Sequence, residues 1–272
     1  MPERREPKIA NCCGRRVFPS RAARLLATIL VIFLAGVESS FSNQFRIEIH
    51  GGLSIPNIRG GNTIQSQGYT SRLGPFFGIS GECMLTNRFS LCGEVNYVSQ
   101  GGKRNGMQPI TPDQVGGLPL PPDLTLYANF HNETIIDYVE IPLMAKFNWG
   151  RTWRVFAGAG PYIGFRVRAK TVTSGMSSLY LDSSGTPLII PPANEPLPPV
   201  SFDATTDVKS EIHPINVGIS GGVGLEAPFG PGDIVLSARF SVGLTNIQKN
   251  PEVNGKNNTG AAIVFVGYVY TF

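Results

Sequence analysis

The side chains best suited to nucleophilic or metal chemistry are few: three histidines and four cysteines in 272 residues. A nucleophile of the serine or cysteine kind needs a base within hydrogen-bond reach. His50 lies on the polar side of an alternating segment, His131 ends a long connection, and His213 directly precedes Pro214. No GxSxG elbow or phosphate loop occurs, and the glycine-containing stretches 158–164 and 218–224 read as strand interiors. HxH, CxxC and paired-Asp spacings, which metal sites use, are absent as well. A Ser–His pair built on His50 or His213 is the enzymatic alternative, and a hydrogen-bonded polar histidine is the simpler reading. The chain is therefore expected to carry no catalytic, cofactor-binding or metal site.

The charged residues are better organised. By parity Arg46, Glu48, Glu82, Glu94, Glu140, Lys146, Arg154, Arg166, Arg168, Glu226 and Arg239 all fall on the polar face of alternating segments. Charges of both signs on one face suit a narrow interior, because a buried charge without a partner is strongly destabilising. The pattern predicts a fixed network of carboxylate–cation contacts.

The elements that position these residues alternate with period two, as strands with two different faces require. Eight such segments occur. Phe45, Ile47 and Ile49 oppose Arg46, Glu48 and His50; Phe77 and Ile79 oppose Ser80 and Glu82; Leu91, Val95 and Tyr97 oppose Ser90, Glu94 and Asn96. Val139, Ile141 and Leu143 oppose Tyr138, Glu140 and Lys146, and Trp153, Val155, Ile163, Phe165 and Val167 oppose Arg154, Tyr162, Arg166 and Arg168. The remaining three carry Val217, Leu236 and Val266 on their apolar faces. Connections 85–89, 148–152 and 227–232 are short, whereas 55–71, 100–133, 171–207 and 246–259 are long. Of the 22 prolines, eleven lie between Pro109 and Pro122 or Pro187 and Pro199, which argues for loops there, because proline removes a ladder donor. The third long connection is acidic, with no basic residue between Thr171 and Asp207. Such segments have little apolar periodicity and are expected to be the least ordered.

Alternation alone also fits a soluble sandwich or a lipocalin-like barrel. Charged residues make up 15% of the chain, against about 25% in a soluble domain, and the polar face is rich in glycine. Both favour a transmembrane barrel with a crowded lumen over a solvated sheet. The formal charge of +4 is concentrated at the start, where the first 42 residues hold seven Lys/Arg and three Asp/Glu and leave a neutral remainder. No basic surface for nucleic acid survives. Arg15, Arg16, Arg21 and Arg24 precede the apolar run Leu25–Val37, followed by small residues, the pattern of a secretory signal. Cleavage is placed near Ser42. Cys12 and Cys13 precede that run and cannot be a lipid-attachment site at its end. Cys83 and Cys92 flank the first hairpin. A turn centred on Asn87-Arg88 would set them opposite, whereas inward Glu82 and Glu94 place Cys92 inside and Cys83 outside as free thiols.

FSLCGEVNYVSQGGK (89–103), DYVEIPLMAKF (137–147), WRVFAGAGPYIGFRVRAK (153–170), NVGISGGVGLE (216–226), ARFSVGLTNI (238–247) and GYVYTF (267–272) together resemble the outer-membrane protein β-barrel domain family, the small OmpA/OmpX-like kind also called porin family. The Pro-rich loops and the Cys pair depart from its pattern. The resemblance implies an all-β fold: an eight-stranded antiparallel up-and-down transmembrane β-barrel over 43–272, which the signal reading above places behind a signal peptide helix over 1–42. It implies a bacterial outer-membrane location, and no catalytic residues. Tyr268, Tyr270 and Phe272 look like the C-terminal signal read by the outer-membrane insertion machinery. The expected partners are the lipid bilayer, that machinery and an unidentified extracellular ligand, with the chain a monomer. The expected role is non-enzymatic, structural or adhesive through long external loops. A narrow channel and a lipid-modifying enzyme are the alternatives. Trp149, Trp153, Phe147, Phe229, Tyr270 and Phe272 are expected at the periplasmic interface.

Overall fold

The computed structural model describes residues 44–60, 67–111, 115, 121, 124–189 and 195–272. The expected signal segment, 1–42, lies outside the described residues. Eight long strands form β1 (Phe45–Gly60), β2 (Gly74–Met84), β3 (Phe89–Ile110), β4 (Leu126–Trp149), β5 (Arg154–Ser174), β9 (Ile215–Phe229), β10 (Gly232–Gly243) and β11 (Asn257–Thr271). Three short ones, β6 (Met176–Ser177), β7 (Val200–Ser201) and β8 (Ala204–Asp207), lie between β5 and β9. Each long strand pairs antiparallel with its neighbour in sequence. β1 closes the ring against β11 from Arg46↔Thr271 to Gly60↔Asn257. Closure leaves neither β1 nor β11 with an unpaired edge, the condition for spanning lipid with strands.

The two faces are inverted relative to a soluble sheet. Arg46 is 1% exposed inside the ring, while outward Ile49 and Phe240 are each 66% exposed. An apolar belt of such side chains has no reason to face water, and hydrocarbon satisfies it. At the end with the short turns, Trp149, Trp153, Phe229, Tyr270 and Phe272 are all exposed. Phe147 bridges Phe89 and Trp149, with ring centroids 4.6 and 4.4 Å away. Gly150 makes one of these turns at φ +99°, where a Cβ would lie 1.9 Å from the Trp153 carbonyl oxygen. Inside, Gly224 leaves room for Phe156, whose ring would be 2.3 Å from an added Cβ.

The connections at the other end depart from expectation. β3 and β4 run for 22 and 24 residues, at least twice the 9–11 or so that cross a bilayer. Much of 100–133 is therefore a paired hairpin, from Gln100↔Ile136 to Ile110↔Leu126. The 171–207 connection folds back on it: Tyr127 and Tyr180 exchange backbone hydrogen bonds of 2.8 Å. Ile110, Leu126, Ala128, Phe130, Leu179, Leu188 and Phe202 form a buried apolar cluster there. Phe130 and Phe202 stack within it at 4.5 Å. The expected weakly ordered loops are, over their described parts, an external lobe with its own core. Period-two reading misses this lobe because one core serves a hairpin and an irregular segment together.

Candidate functional site: the lumen and its outer mouth

The lumen is filled in layers. At the end with the short turns, Arg46 reaches Glu226 at 2.6 Å, Glu82 at 3.3 Å and Asp233 at 3.5 Å. Arg154 reaches Glu226 at 3.2 Å and Asp233 at 3.1 Å, and Lys146 reaches Glu82 at 3.5 Å. Ser90 donates a short hydrogen bond to Glu82. Midway, the Arg239 guanidinium holds Glu94 in two hydrogen bonds of 2.6 and 2.8 Å. It also lies over the Phe265 and Phe76 rings, at 5.1 and 6.0 Å. His50 stacks on Phe76 at 5.3 Å and has its Nε2 2.9 Å from Asn96 Oδ1. Its Nδ1 is 3.1 Å from Glu48 Oε1 but misaligned for a hydrogen bond. Near the outer mouth, Asn216 donates to Tyr162 and Thr259.

Seven of the eleven charges read from parity thus meet in two clusters: Arg46, Glu82, Lys146, Arg154 and Glu226 in one, Glu94 and Arg239 in the other. Four do otherwise. Glu48 is buried beside His50. Glu140 accepts from Gln100 Nε2 at 2.5 Å, a neutral amide in place of the expected cation. Arg166 donates to the Lys209 and Ile212 carbonyls of a connection. Arg168 corrects the facing: its side chain is 51% exposed. A register shift between Asp137 and Tyr138 exchanges the faces of β5 against β4, and Arg168 turns outward. There its Nε pairs with Asp137 Oδ2 at 2.7 Å, and Asp137 is 0% exposed. Tyr97 and Ser99 hydroxyls each donate to Asp137 at 2.6 Å. Parity puts Asp137 with Val139 and Ile141 on the outward face, and the unbroken β3–β4 register keeps it there, so it never enters the lumen set. Parity misses Asp233 because that residue sits beside a turn, where alternation starts.

Cys92 is buried and Cys83 exposed, both as free thiols. Glu82 pairs with Cys92 and Cys83 with Leu91, so the facing argument holds and the directly opposed pair is excluded. Tyr268, Tyr270 and Phe272 face outward on β11 and just beyond its end, with Tyr270 and Phe272 edge-to-face at 5.0 Å.

At the outer mouth a cavity of about 450 Å³ opens between the external part of the β3–β4 hairpin, the start of β11 and the segment before β9. Among the described residues no group of three or more His, Cys, Asp or Glu is placed to hold a metal.

Residues 37–249 match the family model of the outer membrane protein beta-barrel domain. Among solved structures, the chain is similar to the attachment invasion locus protein Ail of Yersinia pestis, at 12% identity and a TM-score of 0.36, covering 84% of this chain and 98% of that one. It is similar to OprG of Pseudomonas aeruginosa at 9% identity and a TM-score of 0.35, over 85% and 97% of the two chains. It is also similar to the outer membrane protease OmpT of Escherichia coli at 9% identity and a TM-score of 0.32, over 87% and 100%. Among curated proteins, none matches the sequence.

Proposed function

Because the chain belongs to the outer membrane protein β-barrel domain family and resides in the bacterial outer membrane, we propose that it is a non-enzymatic surface protein whose outer mouth contacts a ligand or another surface. The observation that carries this reading is the external lobe. Seven buried apolar side chains pack outside the belt, where barrel closure does not require them. Ordering a long connection costs roughly 1–2 kcal/mol per residue in backbone entropy, so a packed lobe serves something other than spanning. The filled lumen supports an anchoring role over an open channel, because eight strands leave an interior just wide enough for side chains. The engaged ring of His50 supports a non-enzymatic reading over a serine hydrolase. The outward aromatics of β11 are the proposed contact for the insertion machinery, and the chain works as a monomer.

The test uses bacterial cells carrying the chain, on plates coated with mucin, fibronectin or collagen. They are compared with cells whose residues 178–199 are replaced by a Gly-Ser linker. Adherence lost with the segment on at least one coating is the expected result. Equal adherence by both on all three, together with stepwise currents from the purified protein in a planar bilayer, would replace this reading with a channel.

A further inference from the structure

We propose that a lipid-facing patch at the outer edge of the belt, centred on Arg168 and Lys170, binds the phosphate of a phosphorylated glycolipid in the outer leaflet. The proposal concerns the flank of the barrel and is independent of what the external lobe contacts. Height places the patch. Ten steps of β4 separate Asp137 from Phe147, which belongs to the aromatic cluster beside the short turns. At ~3.3 Å per residue and a tilt of ~35–45° they rise roughly 25 Å, the height of an apolar belt. The side chains change character at the same level. The outward, odd-numbered residues of β5 from Val155 to Phe165 carry no charge. Val167 is then the extra residue of the bulge, since Tyr138 pairs with Arg166 and Asp137 with Arg168. A bulge re-aims the side chains that follow it. Here it turns Arg168 and, two residues on, Lys170 outward, while Ala169 between them is buried in an interior cluster.

The groups that a ligand can reach here are cationic. The Arg168 side chain is 51% exposed, and its Nε is taken by Asp137. Among the described residues its two Nη groups have no acceptor. Asp137 is buried and held by the Tyr97 and Ser99 hydroxyls, so it orients the guanidinium without meeting the ligand. Lys170 is half-buried and makes no ion pair among the described residues. Other carboxylates on this face are engaged. Glu133 pairs with Arg72 Nε at 2.6 Å, and Asp207, across from Lys170, accepts from the Lys209 amide at 2.8 Å. A guanidinium fork matches two phosphate oxygens, and the neighbouring ammonium supplies the second charge that a phosphate monoester takes. Just below, Phe165 and Phe77 are exposed to lipid, with Phe77 stacked on Tyr97 at 4.9 Å, a surface for acyl chains. A lipid that carries phosphate directly on its acylated sugar offers both parts at this depth. With the lobe outward, the leaflet is the outer one.

Native mass spectrometry of the full chain, released from a non-ionic detergent, reads the lipid that stays bound. The probes are bisphosphorylated lipid A, its dephosphorylated form and phosphatidylglycerol, offered at equal concentration. Retention of the phosphorylated glycolipid about fivefold above either of the others is expected. Arg168→Lys keeps a cation beside Asp137 but removes the fork, and Lys170→Gln removes the second charge. Each should lower retention at least threefold. Lys249→Gln, which removes an exposed cation from the connection before β11, should leave retention unchanged. All variants are first checked by the heat-dependent gel shift of a folded barrel. If Arg168→Lys fails that check, the double variant Arg168→Gln with Asp137→Asn, which removes both members of the pair, takes its place. Equal retention of dephosphorylated lipid A, or retention unchanged in the folded Arg168 variant, would overturn the proposal. Equal retention of phosphatidylglycerol would replace the glycolipid with an ordinary phospholipid and overturn it too. A matching loss in Lys249→Gln would reduce the effect to overall charge, with the same result.

Discussion

At the scale of single residues, the lumen pair of Arg239 and Glu94 is where removal of one partner should cost most. Arg239→Ala would strand a buried carboxylate that now accepts two hydrogen bonds from the guanidinium. A loss of about 3–5 kcal/mol is expected, read by urea titration in lipid vesicles. The double variant with Glu94→Gln should recover most of it, and a double variant as unstable as the single would refute the pairing argument. Asp182, in the external lobe, behaves differently. It accepts from the Ser184 amide at 2.9 Å and hydroxyl at 2.7 Å, and from the Thr186 amide at 3.1 Å and hydroxyl at 2.5 Å. Hydrogen bonds from Thr186 and Ser184 hold its carboxyl well below the usual carboxylate range. A depressed carboxyl supports the turn wherever it is ionised, fully above the ordinary aspartate value of about 3.9. The support is lost only as pH falls through the lower folded value. The amide shifts of Ser184 and Thr186 should therefore stay flat down to about pH 4, and a titration midpoint there would contradict the turn.

At the scale of elements, the belt makes a depth-dependent prediction. Ile219 is outward and exposed in mid-β9, and Phe229 is outward beside the short turn. Ile219→Lys should cost about 2–4 kcal/mol in bilayer, and Phe229→Lys about 0–1 kcal/mol. Equal costs, measured by urea unfolding in vesicles, would remove the belt. The strands within this belt are legible in the sequence because lipid and lumen select opposite side chains at every step. Leu236 and Val266 lie outward for the same reason that Ser237 and Arg239 lie inward. Above the belt that selection stops. Leu126, Ala128 and Phe130 of β4 still alternate with Tyr127 and Asn129 there and feed the lobe core, but their partners Gly106 through Ile110 of β3 show no such hydropathy pattern. Phe76 and Phe265 were equally hidden. They are apolar side chains on the polar face, packed against His50.

At the scale of the whole molecule, the expected orientation, with the lobe outward, can be tested on intact cells. The short turns at one end and the lobe at the other predict that protease added to intact cells cuts within 111–125 or 181–199. The strands and the turns at 148–153 and 229–232 should stay whole, as read by mass spectrometry of the fragments. Cuts confined to those turns would invert the topology. The mouth cavity was not legible from the sequence. It is assembled from β1, β3, β4, β5 and the segments before β9 and β11, so only the closed ring brings its residues together. The lumen clusters were partly legible because parity assigns a face, but not which charges meet across the ring.

The seam between β1 and β11 has a consequence for biogenesis. It joins Arg46 to Thr271, nearly the two ends of the barrel. The main ion pairs also bridge long stretches of chain, with partners 180 residues apart for Arg46 and Glu226 and 145 apart for Arg239 and Glu94. Until the last strand arrives, these charges have no fixed partners and remain hydrated. The chain in transit is then more water-compatible than its finished exterior suggests. Contacts this distant in sequence also make closure slow. Wetting of the future lumen and drying of the belt are thus tied to a single late event, so a nascent barrel lacking β11 would keep its charges in water and be poorly suited to entering the membrane.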